Sequence, residues 1–471
     1  MNKKILIGGE WREAGETFAV RSPYTQETLS EVFSANAAET EEAIAHATQA
    51  ARAMRKLARF EIAKGLRKIA YSIEILKREF AETIAKEAGK PISLARGEVE
   101  RGISTFAWAA GEAERFAGEV VPVDTAPNGK GKTAFTKRIP RGVIYGITPF
   151  NFPLNLVAHK VAPALASGNA IIIKPSQRTP LTSLLLGKVF TESGLPKSAL
   201  QIVPMDVKYM GTVLNDDRVN MISFTGSAAI GWDVKRKAGK KMVALELGGN
   251  APVIVDETAD IEKSLSKTVT GAFAYAGQIC ISVQRVYVHE KVFDEWTEKF
   301  VAGAKHLKKG NPLDDLTQLS VMIDEDAAKR ANSWVDEAVK NGAKLLCGGT
   351  RKGAMLDAAV LTNTNPEMRV VAEEVFAPVA VVEKFDDFEE AVDLANQTKY
   401  GLQAGVFTRD LSNTNYAAEN LEYGGIIVND VPTFRVDNMP YGGSKDSGFG
   451  REGVRYAMEE MSEIRLVVID S

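Results

Sequence analysis

At 471 residues, with 45% hydrophobic and 25% charged side chains, the chain has ordinary globular proportions and length for two or three domains around a large core. A formal charge of -3 gives no electrostatic reason to expect nucleic acid or an anionic membrane as partner, and no apolar run approaches the ~18 residues that cross a bilayer. Two distant cysteines, Cys280 and Cys347, make no disulfide framework, and the four histidines (His46, His159, His289, His306) fall at no metal-ligand spacing with them, so the expectation is a cytoplasmic protein that binds no metal.

The opening MNKKILIGGEW has only three consecutive apolar residues, too few for a signal peptide. Residues 39–116 read as mostly helical; in TEEAIAHATQAARAM, Ile44, Ala47, Ala51 and Met54 recur at helical spacing with polar residues between them. In 118–139 two β-prone arms flank APNGKGK, a turn signal. Such a hairpin exposes edge strands, and pairing with another subunit is one way to protect an edge. From 141 onward apolar strands alternate with helices. GVIYGI, NAIIIKP, ALQIVP, VNMISF and KMVALEL are separated by helices, including 180–192, 206–214 and 227–239. After Gly248-Gly249 come PVIV, a helix over 260–276, QRVYV and a helix over 291–304, then helices near 324–340, 386–396 and 410–421. Short continuous apolar strands between helices predict parallel sheets covered on both faces, an α/β fold of two lobes that meet near Gly248-Gly249.

Five stretches carry residues with chemical potential, each with a bland alternative. In ITPFNFPLNL, Asn151 stands between Phe150 and Phe152 in a loop bounded by Pro149 and Pro153. It is either an oxyanion donor or an Asx-turn residue. Lys174 ends the strand in IIIKPSQRTP, where it reaches a ribose or phosphate or is merely solvated. In SFTGSAAIG, Gly226-Ser227 open a helix at a strand's C-terminal edge, a phosphate-binding position or a tight βα turn. Glu246 lies between Leu245 and Leu247 ahead of two glycines; buried, its raised pKa suits a general base, whereas strand alternation would place it in solvent. Cys280, in AFAYAGQICISVQRVYV, is a nucleophile on a loop or an inert core residue.

Together these stretches resemble the aldehyde dehydrogenase family across almost the whole chain. The motifs stand in order: TPFNFP, KPS, FTGS, LELGGN, GQIC, EEVFAP (373–378) and MPYGGSKDSGFGRE (439–452). The resemblance implies a Rossmann-like coenzyme domain (1–117 and 140–247), an α/β catalytic domain (248–446) and a β oligomerisation arm (118–139 and 447–471). It also implies a homodimer or homotetramer, and NADP or NAD as coenzyme. Cys280 is then the thiolate that attacks the aldehyde, Asn151 and the Cys280 N–H hold the oxyanion, and Glu246 activates the water that hydrolyses the thioester. Lys160 and Glu452 match a proton-relay pair behind that glutamate. Lys174 and Glu374 match the adenosine-side and nicotinamide-side ribose ligands, Ser227 a pyrophosphate contact, and Phe376 the residue packed by the nicotinamide. Thr148, Pro149, Phe150, Ser176, Gly226 and Leu247 fall in the same coenzyme-contacting motifs. Glu246 favours hydrolysis to a free acid over acyl transfer to coenzyme A, whose catalysts usually lack this base.

Three departures from the family pattern matter. The glutamate that binds both adenosine-ribose hydroxyls in NAD-preferring members is replaced by Gln177, followed by Arg178, so a 2′-phosphate is no longer repelled and NADP is expected to be accepted. Ala377 stands where Gly is usual, and Ile279 and Ile281 offer the substrate no charge beside the nucleophile. Arg435, in TFRVDNMP, and His159, beside Lys160, resemble substrate-contacting positions of the branch acting on lactaldehyde and, without phosphorylation, on glyceraldehyde-3-phosphate. The expected substrate is a small hydroxyaldehyde that carries phosphate, sulfonate or carboxylate, with a succinate-semialdehyde-type activity as the alternative.

Overall fold

The computed structural model describes residues 3–470. Two sheets organise it. The first has eight strands in the order Glu10–Arg12, Ile5–Ile7, Leu200–Ile202, Ala170–Lys174, Val143–Ile147, Val219–Thr225, Met242–Glu246 and Gly448–Phe449. Its five central strands run parallel. Numbered by their place in the chain, those five stand in the order third, second, first, fourth, fifth. That is the doubly wound Rossmann order, which opens a crevice where the winding reverses, between Val143–Ile147 and Val219–Thr225.

The second sheet has seven strands, in the order Lys344–Cys347, Ala359–Thr362, Val379–Phe385, Val283–His289, Ala251–Val255, Gln403–Phe407 and Gly425–Val428. All its pairs are parallel except the edge pair of Lys344–Cys347 with Ala359–Thr362. Val143–Ile147, Ala170–Lys174, Ala251–Val255 and Gln403–Phe407 are buried along their whole length. Helices on both faces leave no polar side for these strands, which is why they read as continuous apolar runs rather than alternating ones. No helix among the described residues is long and apolar enough to cross a membrane.

Between the sheets the chain leaves the C-terminal end of Met242–Glu246 and enters the N-terminal end of Ala251–Val255 within four residues, Leu247–Asn250. The two glycines there permit close approach. A Cβ on Gly248 would lie 2.1 Å from Glu374 Oε2, and one on Gly249 2.3 Å from the Cys280 carbonyl oxygen. The C-terminal edge of one sheet thus meets the N-terminal edge of the other at this crossing.

The strand Ser462–Asp470 pairs antiparallel with Lys132–Pro140 along its whole length, and Val120–Val121 adds a short third strand. The first arm of the expected hairpin is therefore only two residues long, and a 3-10 turn at Pro127–Gly129 occupies the Pro/Asn/Gly segment. Ile464, Leu466, Val468 and Ile469 on the terminal strand are about half exposed or more. Ile5–Ile7 and Glu10–Arg12, which the sequence did not reveal, join the first sheet through a single antiparallel pairing of Leu6 with Ile202, while Glu16–Arg21 and Thr28–Ser34 form a two-stranded sheet of their own.

Candidate active site

A cavity of about 460 Å³ lies at the crossing of the two sheets. Asn151, Glu246, Cys280 and Arg435 line it, with Pro149, Phe150, Gly226, Ser227 and Leu247 on the first-sheet side and Glu374 and Phe376 on the second-sheet side. Residues scattered from 149 to 435 in the chain thus share one chamber.

The helix Ile261–Phe273 stops three residues earlier than its small-residue sequence predicts. Tyr275, Ala276 and Gly277 follow in the left-handed region, with φ of 50°, 52° and 66°. For the two residues with a Cβ this costs about 1–2 kcal/mol each. Distant contacts hold the turn: Tyr275 Oη donates to the Ala88 carbonyl (2.9 Å), and Gln278 Oε1 accepts from the Ile323 N–H (2.8 Å). Gly277 is required there, since a Cβ would lie 2.0 Å from the Ala377 carbonyl oxygen. The turn redirects the chain so that Cys280 enters the cavity just before the strand Val283–His289. Its Sγ lies 3.1 Å from Tyr441 Oη. Burial first, then the negative charge of Glu246, push the thiol well above its ordinary pKa.

Asn151 is buried, and its Nδ2 donates to the Gln278 carbonyl at 3.0 Å, so the amide is tied to the loop that carries Cys280. The second Nδ2 hydrogen is free of that bond. The helix Asn155–Ala166 after this loop has no cap of its own; Glu98, from the helix Ile92–Arg115, accepts from the N–H groups of Leu154 (2.9 Å) and Asn155 (3.1 Å). Glu98 also pairs with the buried Lys90, whose ammonium sits 3.7 Å from the centre of the Phe152 ring and 4.6 Å from that of Tyr275. One buried ion pair therefore touches both the Asn151 loop and the turn before Cys280.

Glu246 is buried rather than turned to solvent. It neighbours the Cys280 thiol, yet neither carboxyl oxygen has a hydrogen-bond partner of proper geometry among the described residues. Burial, then the charge of Glu452, raise its pKa to about 7. Glu452 itself is held down at about 2 against its burial by Lys160 and Arg435. Lys160 Nζ donates to Glu452 Oε1 (2.9 Å), Thr225 Oγ1 (2.7 Å) and Ser223 Oγ (3.1 Å), so it is fully engaged.

On the coenzyme side the residues fit a dinucleotide. Glu374 Oε1 accepts from the Gly249 N–H at 3.1 Å, while Oε2 accepts from no protein donor among the described residues and is available to a hydroxyl. Phe150 and Phe376 meet edge to face across the cavity, ring centres 6.0 Å apart. A Cβ on Gly231 would lie 2.3 Å from Leu247 Cδ2, so that glycine brings the helix Ala228–Lys237 hard against the strand end, with Ser227 at its N-cap. Thr148 donates its N–H to the Lys174 carbonyl (3.2 Å), and Lys174 ends its strand buried, its ammonium pKa lowered by that burial. Ser176 Oγ accepts from the Arg178 N–H (3.2 Å), and Gln177 lines two smaller cavities, one of them with Asp206. Arg178 Nη2 is bound to Asp324 at 2.8 Å, so a 2′-phosphate must share or break an existing ion pair.

The substrate side departs most from expectation. Arg435 lines the cavity but is almost wholly buried and already engaged: its guanidinium stacks 3.7 Å over the Tyr441 ring, Nη2 meets Glu452 Oε2 at 3.3 Å, and Nε has no hydrogen-bond partner among the described residues. His159 does not line the cavity. Its Nε2 meets Asp437 Oδ1 at 2.9 Å behind the wall, and burial lowers its pKa to about 4. Arg101, from the helix Ile92–Arg115, takes the place in the lining that His159 was expected to fill, anchored by Nη2 (2.9 Å) and Nε (3.2 Å) on the same Asp437 oxygen. Neither Arg101 nor Tyr441 was singled out in the sequence. Tyr441 stood inside a recognised motif, whereas Arg101 had no local signal in a helix rich in charges.

The aldehyde dehydrogenase family model matches residues 11–467. A 3-sulfolactaldehyde dehydrogenase of Priestia aryabhattai is 43% identical over 468 residues, covering 99% of this chain and 98% of that protein. The crystal structure of aldehyde dehydrogenase 21 from Physcomitrella patens, in complex with the reaction product succinate, superposes with a TM-score of 0.98 at 44% identity, covering 99% and 98% of the two chains. That of glyceraldehyde-3-phosphate dehydrogenase GapN from Methanocaldococcus jannaschii, complexed with NADP, gives a TM-score of 0.93 at 40% identity over 98% of this chain and all of that one (100%). With its doubly wound sheet and a thiol, a buried carboxyl and a buried amide around one cavity, this chain belongs to the aldehyde dehydrogenase family.

Proposed function

We propose that the protein is a hydrolytic, NAD(P)-dependent dehydrogenase of small hydroxyaldehydes that carry an anionic group. One observation carries this reading: the guanidinium groups of Arg101 and Arg435 line the same cavity as Cys280, Glu246 and Asn151, with a third arginine, Arg330, beside Glu374. A cavity of about 460 Å³ suits a short substrate beside a nicotinamide. Planar guanidinium forks match the oxygens of carboxylate, sulfonate and phosphate alike. The similar proteins agree in kind, being named for 3-sulfolactaldehyde and glyceraldehyde-3-phosphate or holding succinate.

In this reading Glu246 takes the Cys280 proton, and the thiolate adds to the carbonyl carbon. The C–S bond forms as the carbonyl π pair moves onto oxygen, and the free Asn151 N–H and the Cys280 N–H donate to that oxyanion. The nicotinamide, when bound, supplies the acceptor for the hydride that leaves this carbon. Glu374 and Phe376 would hold the coenzyme's nicotinamide side, Lys174 and Ser176 its adenosine side, and Gly226-Ser227 and Leu247 the segment between. Once Glu246 has passed the first proton to solvent, it removes a proton from water as the oxygen adds to the thioester; the tetrahedral adduct collapses, the C–S bond breaks with its electron pair returning to sulfur, and the acid departs. Glu452, kept anionic by Lys160 and Arg435, raises the basicity that Glu246 needs for both proton transfers. Gln177 in place of a carboxylate supports use of NADP. The half-exposed apolar terminal strand supports a homo-oligomer joined through 132–140 and 462–470.

A panel of short aldehydes, neutral and anionic, assayed with NAD and NADP tests the reading. Anionic hydroxyaldehydes should give the highest kcat/KM, and Arg101→Ala and Arg435→Ala should raise KM for them far more than for propanal. Equal effects on both substrates would remove the guanidinium groups from substrate recognition.

A further inference from the structure

We propose that Tyr441 is a further catalytic residue, whose phenolic hydroxyl donates a hydrogen bond to the Cys280 thiolate and so favours the ionised nucleophile. This rests on the reading of Cys280 as nucleophile.

The geometry carries it. Tyr441 is buried, and Cys280 Sγ, at 3.1 Å, is the hydroxyl's hydrogen-bond partner among the described residues. A buried phenol normally finds a partner, and here that partner is the reacting atom. The ring is held from two directions. The Arg435 guanidinium lies 3.7 Å over its face, and Arg435 is in turn fixed by Glu452, which Lys160 anchors. The backbone on either side is pinned as well: Tyr441 exchanges both backbone hydrogen bonds with Glu452, at 3.0 and 2.6 Å. Leu402 and Ile281 complete an apolar cluster around the ring. The hydroxyl cannot swing away without dismantling this clamp.

The thiol needs such a donor. It is only partly exposed, and the acid beside it repels a second negative charge. The charged and titratable groups that face it are Glu246 from its strand end and Arg435 and Tyr441 from the C-terminal segment, with Glu452 and Lys160 behind them. Arg435 spends its planar face on the ring and one nitrogen on Glu452, so Tyr441 is the group in direct hydrogen-bond contact with sulfur. When the S–H proton passes to Glu246, the phenol keeps its own proton and turns it toward the sulfur lone pair. As the C–S bond forms that charge moves to the substrate oxygen, and the donors at Asn151 and the Cys280 N–H take over. Arg435 thereby acts as a positioning residue for Tyr441 besides facing the substrate.

The test is the pH dependence of Cys280 alkylation by iodoacetamide in the full-length enzyme, read by intact mass and by loss of aldehyde oxidation. Tyr441→Phe removes only the hydroxyl. It should move the alkylation midpoint upward by about one pH unit, a tenfold loss of thiolate below the midpoint. It should also lower kcat/KM by the same factor for anionic and neutral aldehydes, since both meet the same nucleophile. An unchanged midpoint, or a rate lowered equally at every pH, overturns the proposal. Should Tyr441→Phe fail to accumulate folded, Arg435→Lys carries the same test. It keeps the charge but removes the flat face that holds the ring, and the midpoint should again rise; a midpoint equal to wild type overturns the clamp. Alkylation elsewhere with Cys280 untouched and activity lost would instead overturn the assignment of the nucleophile itself.

Discussion

Lys90 and Glu98 form an ion pair with side chains no more than 1% exposed, far from any bulk-water compensation. The lysine replacement Lys90→Met keeps the length and apolar bulk between the Phe152 and Tyr275 rings but leaves the Glu98 carboxylate with two backbone N–H donors and no ion-pair partner, Arg101 acting on it only through space. Removing one member of a buried pair costs about 3–5 kcal/mol, most of it the desolvation of the charge left behind. Glu98→Gln leaves Lys90 equally stranded and should cost a similar amount. In the double variant no charge remains, and the amide oxygen still accepts from Leu154 and Asn155. The two changes should then fall short of additivity by about 2 kcal/mol. Equilibrium urea unfolding followed by both tryptophan fluorescence and residual activity measures this cycle. Because the pair touches both the Asn151 loop and the turn before Cys280, kcat should fall in each single variant while KM for the coenzyme stays near its wild-type value. Single variants within about 1 kcal/mol of wild type, or a strictly additive double variant, would refute this account of the pair.

Three further outcomes follow from the site. Asn151→Ala removes a side-chain donor from the oxyanion and should lower kcat about 10²–10³-fold with little change in KM, measured at saturating coenzyme. Glu246, raised to about 7, must be ionised to activate water, so kcat should climb as pH rises through about 7 and level off above it. That limb should vanish in Glu246→Gln; its persistence would assign it to another group. Asp324 binds Arg178 and caps the helix Glu325–Lys340 by accepting from the Ala327 N–H at 2.8 Å. Asp324→Asn keeps a capping oxygen but frees the guanidinium, and should lower KM for NADP about two- to fivefold, the scale of an exposed ion pair, without changing KM for NAD. Equal shifts for both coenzymes would exclude Arg178 from 2′-phosphate binding.

What the sequence disclosed, and what it withheld, divides along physical lines. The apolar strands NAIIIKP and PVIV were legible because burial on both faces leaves a continuous run, and the structure has Ala170–Lys174 and Ala251–Val255 there. Glu246 stood in an apolar strand with no local sign of which face it took; its strand lies within the first sheet, covered on both faces. The helix over 260–276 was overextended because alanine and glycine are compatible with a helix. The left-handed turn that ends it is imposed by Ala88, Ile323 and Ala377, all remote in sequence. Arg101 was invisible for a related reason: one arginine among the charges of Ile92–Arg115 reads as solvated until the helix is packed against the Asn151 loop. His159 erred the other way, because adjacency to Lys160 on a helix puts the two side chains about 100° apart, and its ring ends on Asp437 instead of in the cavity. The strand Ile5–Ile7 was too short to separate from an ordinary apolar triplet.

In the proposed mechanism Cys280 carries the acyl group and Glu246 releases it. The direct measurement is intact-protein and peptide mass spectrometry of Glu246→Gln after mixing with an anionic hydroxyaldehyde and NADP. A covalent acyl adduct confined to the peptide that contains Cys280, formed more slowly than in the wild type because the thiol has lost its base, accompanied by one equivalent of NADPH and then persisting, is the expected result. NADPH formation with no adduct on Cys280, or an adduct on another residue, would contradict it.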